Sequence, residues 1–486
     1  MTRTDAAAST LDARLTRSLA AAAAMRRSTI AERAAWLEAG ADALDAHADE
    51  LVALAGEESH LPDARLTGEL ARTTNQLRLF AAVIREGSWL ELTIDHDDSS
   101  TVPPTPDLRR MLVPLGPVAV FAASNFPFAF SVAGGDTASA LAAGNPVVVK
   151  VHPGHPRLSE RVATVLGDAL VAAGAPEGVL ETAAGREEGT ALVQHPAITA
   201  VGFTGSIPGG RALFDLAVAR PDPIPFYGEL GSLNPVVITP AAIAARGSSL
   251  AEGLVGSFTL GAGQFCTKPG IVLVPAGSDF AERVASGAQA VAAQPMLMPR
   301  IAEGFATIAA RLAAVEGVRM LSPSLPSAVE QGGATPLVLA APARSVLAAP
   351  DALLEECFGP AVLLVEYADE AELHAVLRAL PGGLTATLHA EDSDDAATTI
   401  ELLEAVAGRV LFAGWPTGVA VSWAQHHGGP WPATTSLFTS VGASALRRWL
   451  RPVAYQQAPE SRLPLELREA NPLGLPRRVD GVLRSV

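Results

Sequence analysis

Cysteine is nearly missing: it occurs twice in 486 residues, at positions 266 and 357. Two thiols cannot build a disulfide framework, and their scarcity suits a reducing cytoplasm. Basic residues are also in short supply, 35 against 51 acidic ones, for a net charge of −16. That balance speaks against a nucleic-acid-binding surface, while a local basic pocket for a small anion remains compatible with it. No apolar run reaches the roughly 18 residues of a membrane span, so no membrane association is expected. The opening MTRTDAAASTLDARLTR lacks the apolar core of a secretory leader. Neither G-x-G-x-x-G after the first strand nor G-x-x-x-x-G-K-[ST] is present, so the two common phosphate-loop fingerprints are missing. Cysteine and histidine do not cluster at zinc spacing. The adjacent His426 and His427 of QHHGGP have no partner at helical spacing, and no metal is expected.

What is present is a change of pattern along the chain. The first ninety residues read as helical. Leu37, Ala41, Leu44, Ala48, Leu51 and Ala55 recur every three to four residues, with Thr29 and Glu32 placed as a capping box at the start. A second helix is expected over GELARTTNQLRLFAAVIREG, followed by a Pro- and Asp-rich hairpin arm. From residue 118, short apolar strands alternate with helices: strands at 118–124, 146–151 and 197–205, then at 235–239, 270–275, 361–367, 384–390 and 409–414. Strands without polar alternation, separated by helices, imply parallel α/β sheets, here in two domains.

Three of the first strands end in polar residues: Asn125, Lys150, and the Thr204–Gly205–Ser206 run. In parallel sheets the carboxyl ends of strands line the ligand crevice. Taken singly, each also has a plain reading as a turn, a solvated strand end or a helix cap. Glu229 stands alone in the uncharged stretch FYGELGSLNP. It is either a carboxyl with a raised pKa suited to a general base, or a glutamate paired with a basic residue. Cys266 sits in GAGQFCTKPG among Gly261, Gly263 and Gly270. Glycines let backbone amides approach a ligand, where they would lower a thiol pKa and hold an oxyanion. Cys357, in EECFGP, has no such frame and reads as structural.

Together, SNFPF, GNPVVVK, GFTGS, ELGSLNP, GQFCTKPG and EECFGPAV occur in the order of the aldehyde dehydrogenase superfamily, which the chain resembles from about residue 28 to 460. Within it, SNFPFAFSVAGGDTASALAAGNPVVVK, GWPTGVAV, HGGPWPATT and SVGASALRRWLRPVAYQ resemble the α-ketoglutaric semialdehyde (2,5-dioxovalerate) dehydrogenases. That branch is itself similar to an NADP-dependent fatty aldehyde dehydrogenase. The resemblance implies an α/β fold with a Rossmann-type cofactor domain over 1–98 and 118–228 and a catalytic domain over 229–440. It also implies bridging strands for oligomerisation at 99–117 and 445–470 and a tail from 471 to 486. It assigns Cys266 as nucleophile, Asn125 with the Cys266 amide as oxyanion holder, and Glu229 as the activator of water. Lys150, Gly205, Ser206, Glu356 and Phe358 would hold NAD or NADP. The substrate would be a small aldehyde and the assembly a homodimer or homotetramer.

Departures from the pattern shape the remaining expectations. NAD-preferring members often carry a glutamate three residues after the cofactor lysine; here that position is Pro153, and Arg186 is a candidate partner for a 2′-phosphate. NADP is therefore expected to be accepted. The usual NGWPTGVEV reads AGWPTGVAV, with Ala413 and Ala420. Arg72, in LARTTNQLRLF, falls where the resemblance places the aldehyde tunnel; it either anchors a substrate carboxylate or lies on the helix surface. Phe126 and Phe128 are either tunnel wall or core. The open alternatives are another semialdehyde or a fatty aldehyde, an acylating relative, a non-catalytic relative, and a Cys/His hydrolase. The last needs a histidine that folding would have to bring near Cys266, the nearest in sequence being His195.

Overall fold

The computed structural model describes residues 10–326 and 333–485; the first nine residues of the opening stretch read above lie outside them. The amino-terminal third is helical, as the periodicity requires. The helix Ile30–Ala46 opens on Thr29, whose hydroxyl accepts from the Glu32 amide while Glu32 accepts from the Thr29 amide, the expected capping box. The predicted long helix is interrupted at His47 (φ −107°), whose Nδ1 lies 2.8 Å from the Ala43 carbonyl, and Ala48–Ser59 continues beyond the break. The helix Asp63–Glu86 ends at Gly87, which takes φ 87°.

Three sheets follow. The first runs Leu180–Ala183, Val147–Lys150, Val118–Phe121, Ala200–Thr204, Phe226–Glu229, all parallel. The chain order reverses on either side of Val118–Phe121, and such a switch point opens a crevice at the carboxyl ends of the strands. Asn125, Thr204 and Glu229 all follow or finish strands at this end. The second sheet has seven strands in the order Arg319–Met320, Leu337–Pro342, Ala361–Tyr367, Ile271–Pro275, Val236–Ile238, Gly383–His389, Ala407–Phe412, parallel except for the first. The third joins Leu450–Gln456, Leu108–Pro114 and Thr93–Asp95 with Arg477–Val479 and Val482–Arg484.

Every strand expected from residue 118 onward is present within a few residues. Three buried strands are additional: Leu180–Ala183, Phe226–Glu229 and Leu337–Pro342. The first two are four residues long and mix polar with apolar residues, so periodicity does not reveal them. Residues 477–484, expected to be tail, form a hairpin across Asp480 and Gly481 at φ 48° and 79°. An Asp-Gly pair favours that tight turn. Phe128 is fully buried in the first core and is not tunnel wall. No helix among the described residues is long and apolar enough to cross a membrane.

Candidate active site

Cys266 follows the tight turn Leu260–Gly263. Gly263 (φ 66°) leaves no room for a side chain: a Cβ there would stand 2.2 Å from the Gly359 carbonyl. The expected approach of ligand to this glycine is therefore replaced by loop packing. It locks the cysteine loop against Glu356–Pro360 and so brings Cys266, Glu356 and Phe358 to one cavity of about 390 Å³. Asn234 (φ 51°) fixes the other side of the loop, its Nδ2 donating to the carbonyls of Cys266 at 2.8 Å and Lys268 at 2.9 Å.

The cavity also receives Glu229 from the first sheet and Asn125 and Phe126 from the loop after Val118–Phe121, and Gly205 and Ser206 line it as well. Asn125 donates from Nδ2 to the Gln264 carbonyl at 3.0 Å, which ties it two residues from Cys266. Arg65 donates to the Asn125 carbonyl at 2.6 Å and lies over the rings of Phe126 and Phe265. These contacts hold the SNFPF turn and the cysteine loop together.

Electrostatics corrects one expectation. The Cys266 thiol is pushed up to about 12, first by burial and then by the charges of Glu229 and Glu356. Desolvation outweighs any help from nearby amides, so the resting group is a thiol at neutral pH. Both readings of Glu229 hold at once. Its carboxyl is pushed above the ordinary range by burial, and one oxygen is ion-paired with Arg448. Arg448 and the Ser440 hydroxyl oppose that rise, and the other oxygen is buried. Arg448 also reaches Asp136 at 3.1 Å, so the guanidinium is shared between two carboxylates.

Folding does bring a histidine to the sulfur. His427 Nε2 lies 3.7 Å from Cys266 Sγ. Burial and the surrounding arginines push the His427 pKa down to about 3, so the ring is neutral. His195, the nearest in sequence, instead faces Asp12 at 3.4 Å. The sequence signal for His427 was the QHHGGP pair, visible only as a poor metal motif.

The remaining candidates divide. Glu356 has its carboxyl raised to about 7 by burial, with Lys268 opposing. Gly231 carries no Cβ, which would otherwise meet Glu356 Oε2 at 2.3 Å. Ser206 caps the helix Ile207–Val218, accepting from the Gly209 amide at 3.4 Å. Lys150 ends its strand half-buried, its chain 3.4 to 3.5 Å from where a Cβ on Gly189 would stand, but it does not line the cavity. Arg186 is exposed in the first turn of Gly185–Gln194, and its side chain has no ion pair among the described residues. Arg72 is half-buried over the Phe130 ring at 5.4 Å, with Nη1 buried and unpartnered. Cys357 packs in the second core with Sγ 3.8 Å from the Phe305 carbonyl, as a structural cysteine would.

Comparison with known proteins fits this arrangement. Residues 1–430 match the aldehyde dehydrogenase family. The chain belongs to that family. It is 50% identical over 469 residues to alpha-ketoglutaric semialdehyde dehydrogenase 2 of Azospirillum brasilense, covering 94% of this chain and 89% of the relative. It is 43% identical to alpha-ketoglutaric semialdehyde dehydrogenase of Acinetobacter baylyi over 94% of this chain and 88% of that one. Among solved structures, 1-pyrroline-5-carboxylate dehydrogenase from Thermus with bound NAD superimposes with a TM-score of 0.74 at 22% identity, covering 91% of this chain and 84% of the other. Family membership makes the protein an oxidoreductase acting on aldehydes with a nicotinamide cofactor.

The cavity fits such a cofactor on its own terms. The helix Ile207–Val218 begins at Ser206 in its lining, and the positive end of a helix suits a pyrophosphate. Glu356 offers a carboxylate to ribose hydroxyls and Phe358 offers an apolar face. Ala413, where the sequence resemblance leads one to expect Asn, stands at φ 55°, a region that asparagine tolerates better than alanine.

Proposed function

We propose that the protein oxidises α-ketoglutaric semialdehyde (2,5-dioxovalerate) to the dicarboxylate, accepting NADP. The observation that carries this reading is the convergence of Cys266, Asn125 and Glu229 on one cavity. The 43–50% identity to two α-ketoglutaric semialdehyde dehydrogenases supplies the substrate.

Cys266 Sγ loses its proton and adds to the aldehyde carbon, forming an S–C bond. The carbonyl oxygen becomes an oxyanion, held by Asn125 Nδ2 and the Cys266 amide. Bound in the crevice, the oxidised nicotinamide supplies the hydride acceptor. Loss of hydride from the tetrahedral carbon leaves a thioester on Cys266. Glu229 takes a proton from water, which opens the thioester to the carboxylate and regenerates the thiol. The Cys266 proton leaves to solvent, because His427, though 3.7 Å from the sulfur, has its pKa pushed down to about 3 and is too weak a base to take it. Glu229, suited to activating water, favours release of a free acid over acyl transfer to a thiol cofactor. The Cys266–His427 pair alone would suit a thiol hydrolase, but such an enzyme has no use for a dinucleotide crevice.

Lys150 and Glu356 would hold the two riboses, and Gly205 with Ser206 the pyrophosphate. Pro153 leaves no carboxylate to repel a 2′-phosphate, and Arg186 is free to meet one. The acid end of the substrate would lie toward Arg72. The chain divides into the cofactor, catalytic and bridging parts set out from its sequence, and it works in the cytoplasm as a homodimer or homotetramer. The open edges of the third sheet, with Val482 and Leu483 exposed, support the assembly, because an uncovered edge invites pairing.

The test is the appearance of reduced cofactor with 2,5-dioxovalerate, succinic semialdehyde, glutaraldehyde and a long-chain aldehyde, each with NAD and NADP. The highest kcat/KM is expected for 2,5-dioxovalerate, with NADP at least matching NAD. A long-chain aldehyde preferred over 2,5-dioxovalerate would contradict the substrate, and a tenfold preference for NAD would contradict the cofactor reading.

A further inference from the structure

Arg409 lies on the strand Ala407–Phe412, one residue after Gly408. Gly408 packs so tightly that a Cβ on it would stand 2.2 Å from the Gly428 carbonyl and 2.8 Å from the His426 ring. That contact seats the base of Arg409 beside the segment carrying His427, and His427 touches Cys266.

The guanidinium is held by one corner. Nη1 donates to the Gly418 carbonyl at 2.8 Å. Nε and Nη2 are buried without a partner. These two nitrogens share one edge of the guanidinium plane, the edge that fits both oxygens of a carboxylate. The same molecule shows how that edge is normally filled. Arg17 Nε and Nη2 meet the two oxygens of Glu181 at 2.7 and 3.0 Å, and Arg161 meets those of Glu50 at 2.6 and 2.8 Å. Among the described residues Arg409 has no carboxylate within ion-pair distance. Buried donors are nearly always satisfied, so an empty fork suits an anion, although neither Arg409 nor Arg72 is among the residues lining the cavity around Cys266.

A second guanidinium approaches from another element. Arg72, on Asp63–Glu86, lies 5.4 Å from the Phe130 ring, which in turn lies 6.3 Å from the His427 ring. Its Nη1 is likewise buried and unpartnered. A charge on the Cys266 sulfur favours the charged form of both arginines, and both push the His427 pKa down. Both therefore lie within electrostatic reach of the same cysteine.

We infer that Arg409 and Arg72 form a two-guanidinium anchor for the 2-oxo acid end of the substrate, with the Arg409 fork taking the carboxylate and Arg72 donating to the neighbouring oxo oxygen. The inference rests on the acidic substrate proposed above and adds the residue that selects it. The rival role on the same geometry, counter-ion to the Cys266 thiolate, would serve every aldehyde alike.

The experiment compares wild type, Arg409→Met and Arg409→Lys on 2,5-dioxovalerate and on pentanal, an uncharged aldehyde of equal length. Thermal midpoints are measured to confirm folding. For Arg409→Met, kcat/KM on 2,5-dioxovalerate is expected to fall on the order of tenfold to a hundredfold, mainly through KM, with a much smaller change for pentanal. Arg409→Lys should recover only part, because it keeps the charge but not the fork. Equal losses on both aldehydes through kcat, with the pH profile moved upward, would overturn the anchor in favour of the counter-ion. If wild type itself does not prefer 2,5-dioxovalerate to pentanal, the proposed substrate fails and the anchor with it. If wild type does and Arg409→Met still does, the anchor alone fails. Should neither variant fold, calorimetric titration of wild type decides: 2-oxoglutarate should bind on the order of tenfold tighter than pentanoate, and equal binding would overturn the anchor.

Discussion

The surroundings of the two cysteines make an instructive pair. Burial pushes both thiols up to about 12, so titration does not tell them apart. Cys357 has the Phe305 carbonyl 3.8 Å from its sulfur, inside a largely apolar core. Cys266 keeps a surface open to a cavity that it shares with Asn125, Glu229 and His427. A nucleophile is therefore marked here by access and by its neighbours, while its own acidity points, if anywhere, the other way. Both loops are also one structure, since Gly263 packs on Gly359. A change in the Cys357 segment can thus be felt at Cys266 without any chemical role.

This contrast can be tested at several levels. The largest effect is expected from Cys266→Ser, which should lower dehydrogenase turnover at least a thousandfold while dinucleotide binding, followed by fluorescence titration, persists. Turnover above about a hundredth of wild type would break the comparison, as would an equal loss from Cys357→Ser. Next, Glu229→Gln should cut steady-state turnover by about 10²- to 10⁴-fold. It should leave a burst of reduced cofactor near one equivalent per chain, seen by stopped-flow absorbance, because only the opening of the thioester is impaired. Asn125→Ala should cost about 10²- to 10³-fold in kcat, read from steady-state rates, with little change in cofactor affinity.

A pH experiment sharpens the same contrast. Burial disfavours the charged form of Cys266, so the thiolate fraction in the cofactor-free protein grows about tenfold per pH unit throughout the neutral range. Alkylation by iodoacetamide, mapped by peptide mass spectrometry, should therefore rise steadily from pH 7 to beyond 9 without a plateau, on Cys266 alone. A plateau near pH 7 would show a thiolate already formed. In turnover, the sign for Glu229 is the same: its base form is lost as pH falls through a pKa raised above the ordinary carboxylate range, so the rate of thioester opening should rise with pH. The smallest effect is expected from Cys357→Ala, a few-fold at most in kcat with a lowered thermal midpoint, since it removes a buried contact and leaves a small cavity.

Much of this was legible in the chain. The apolar strands after residue 118 announce parallel sheets, and the ordered motifs point to Asn125, Glu229 and Cys266, which the fold does place together. What escaped did so for physical reasons. The strand Phe226–Glu229 is too short and mixed for a period to show, so Glu229 could not be recognised as a strand end. The hairpin at Asp480–Gly481 was signalled only by its turn pair, among charged residues that resemble a tail. Gly263 was expected to admit a ligand and instead admits the Gly359 carbonyl, a contact across 96 positions that no local pattern encodes. His427 reaches Cys266 across 161 residues, and the empty fork of Arg409 is defined by partners that are missing. Lys150, assigned to the cofactor by resemblance, and Arg186, a candidate because a guanidinium suits phosphate, do not line the cavity.

The most direct measurement is peptide mass spectrometry of the Glu229→Gln protein quenched in acid after mixing with NADP and 2,5-dioxovalerate. The account predicts an acyl adduct on the peptide holding Cys266 and none on the peptide holding Cys357. Reduced cofactor formed with no adduct on Cys266, or an adduct carried by Cys357, would contradict it.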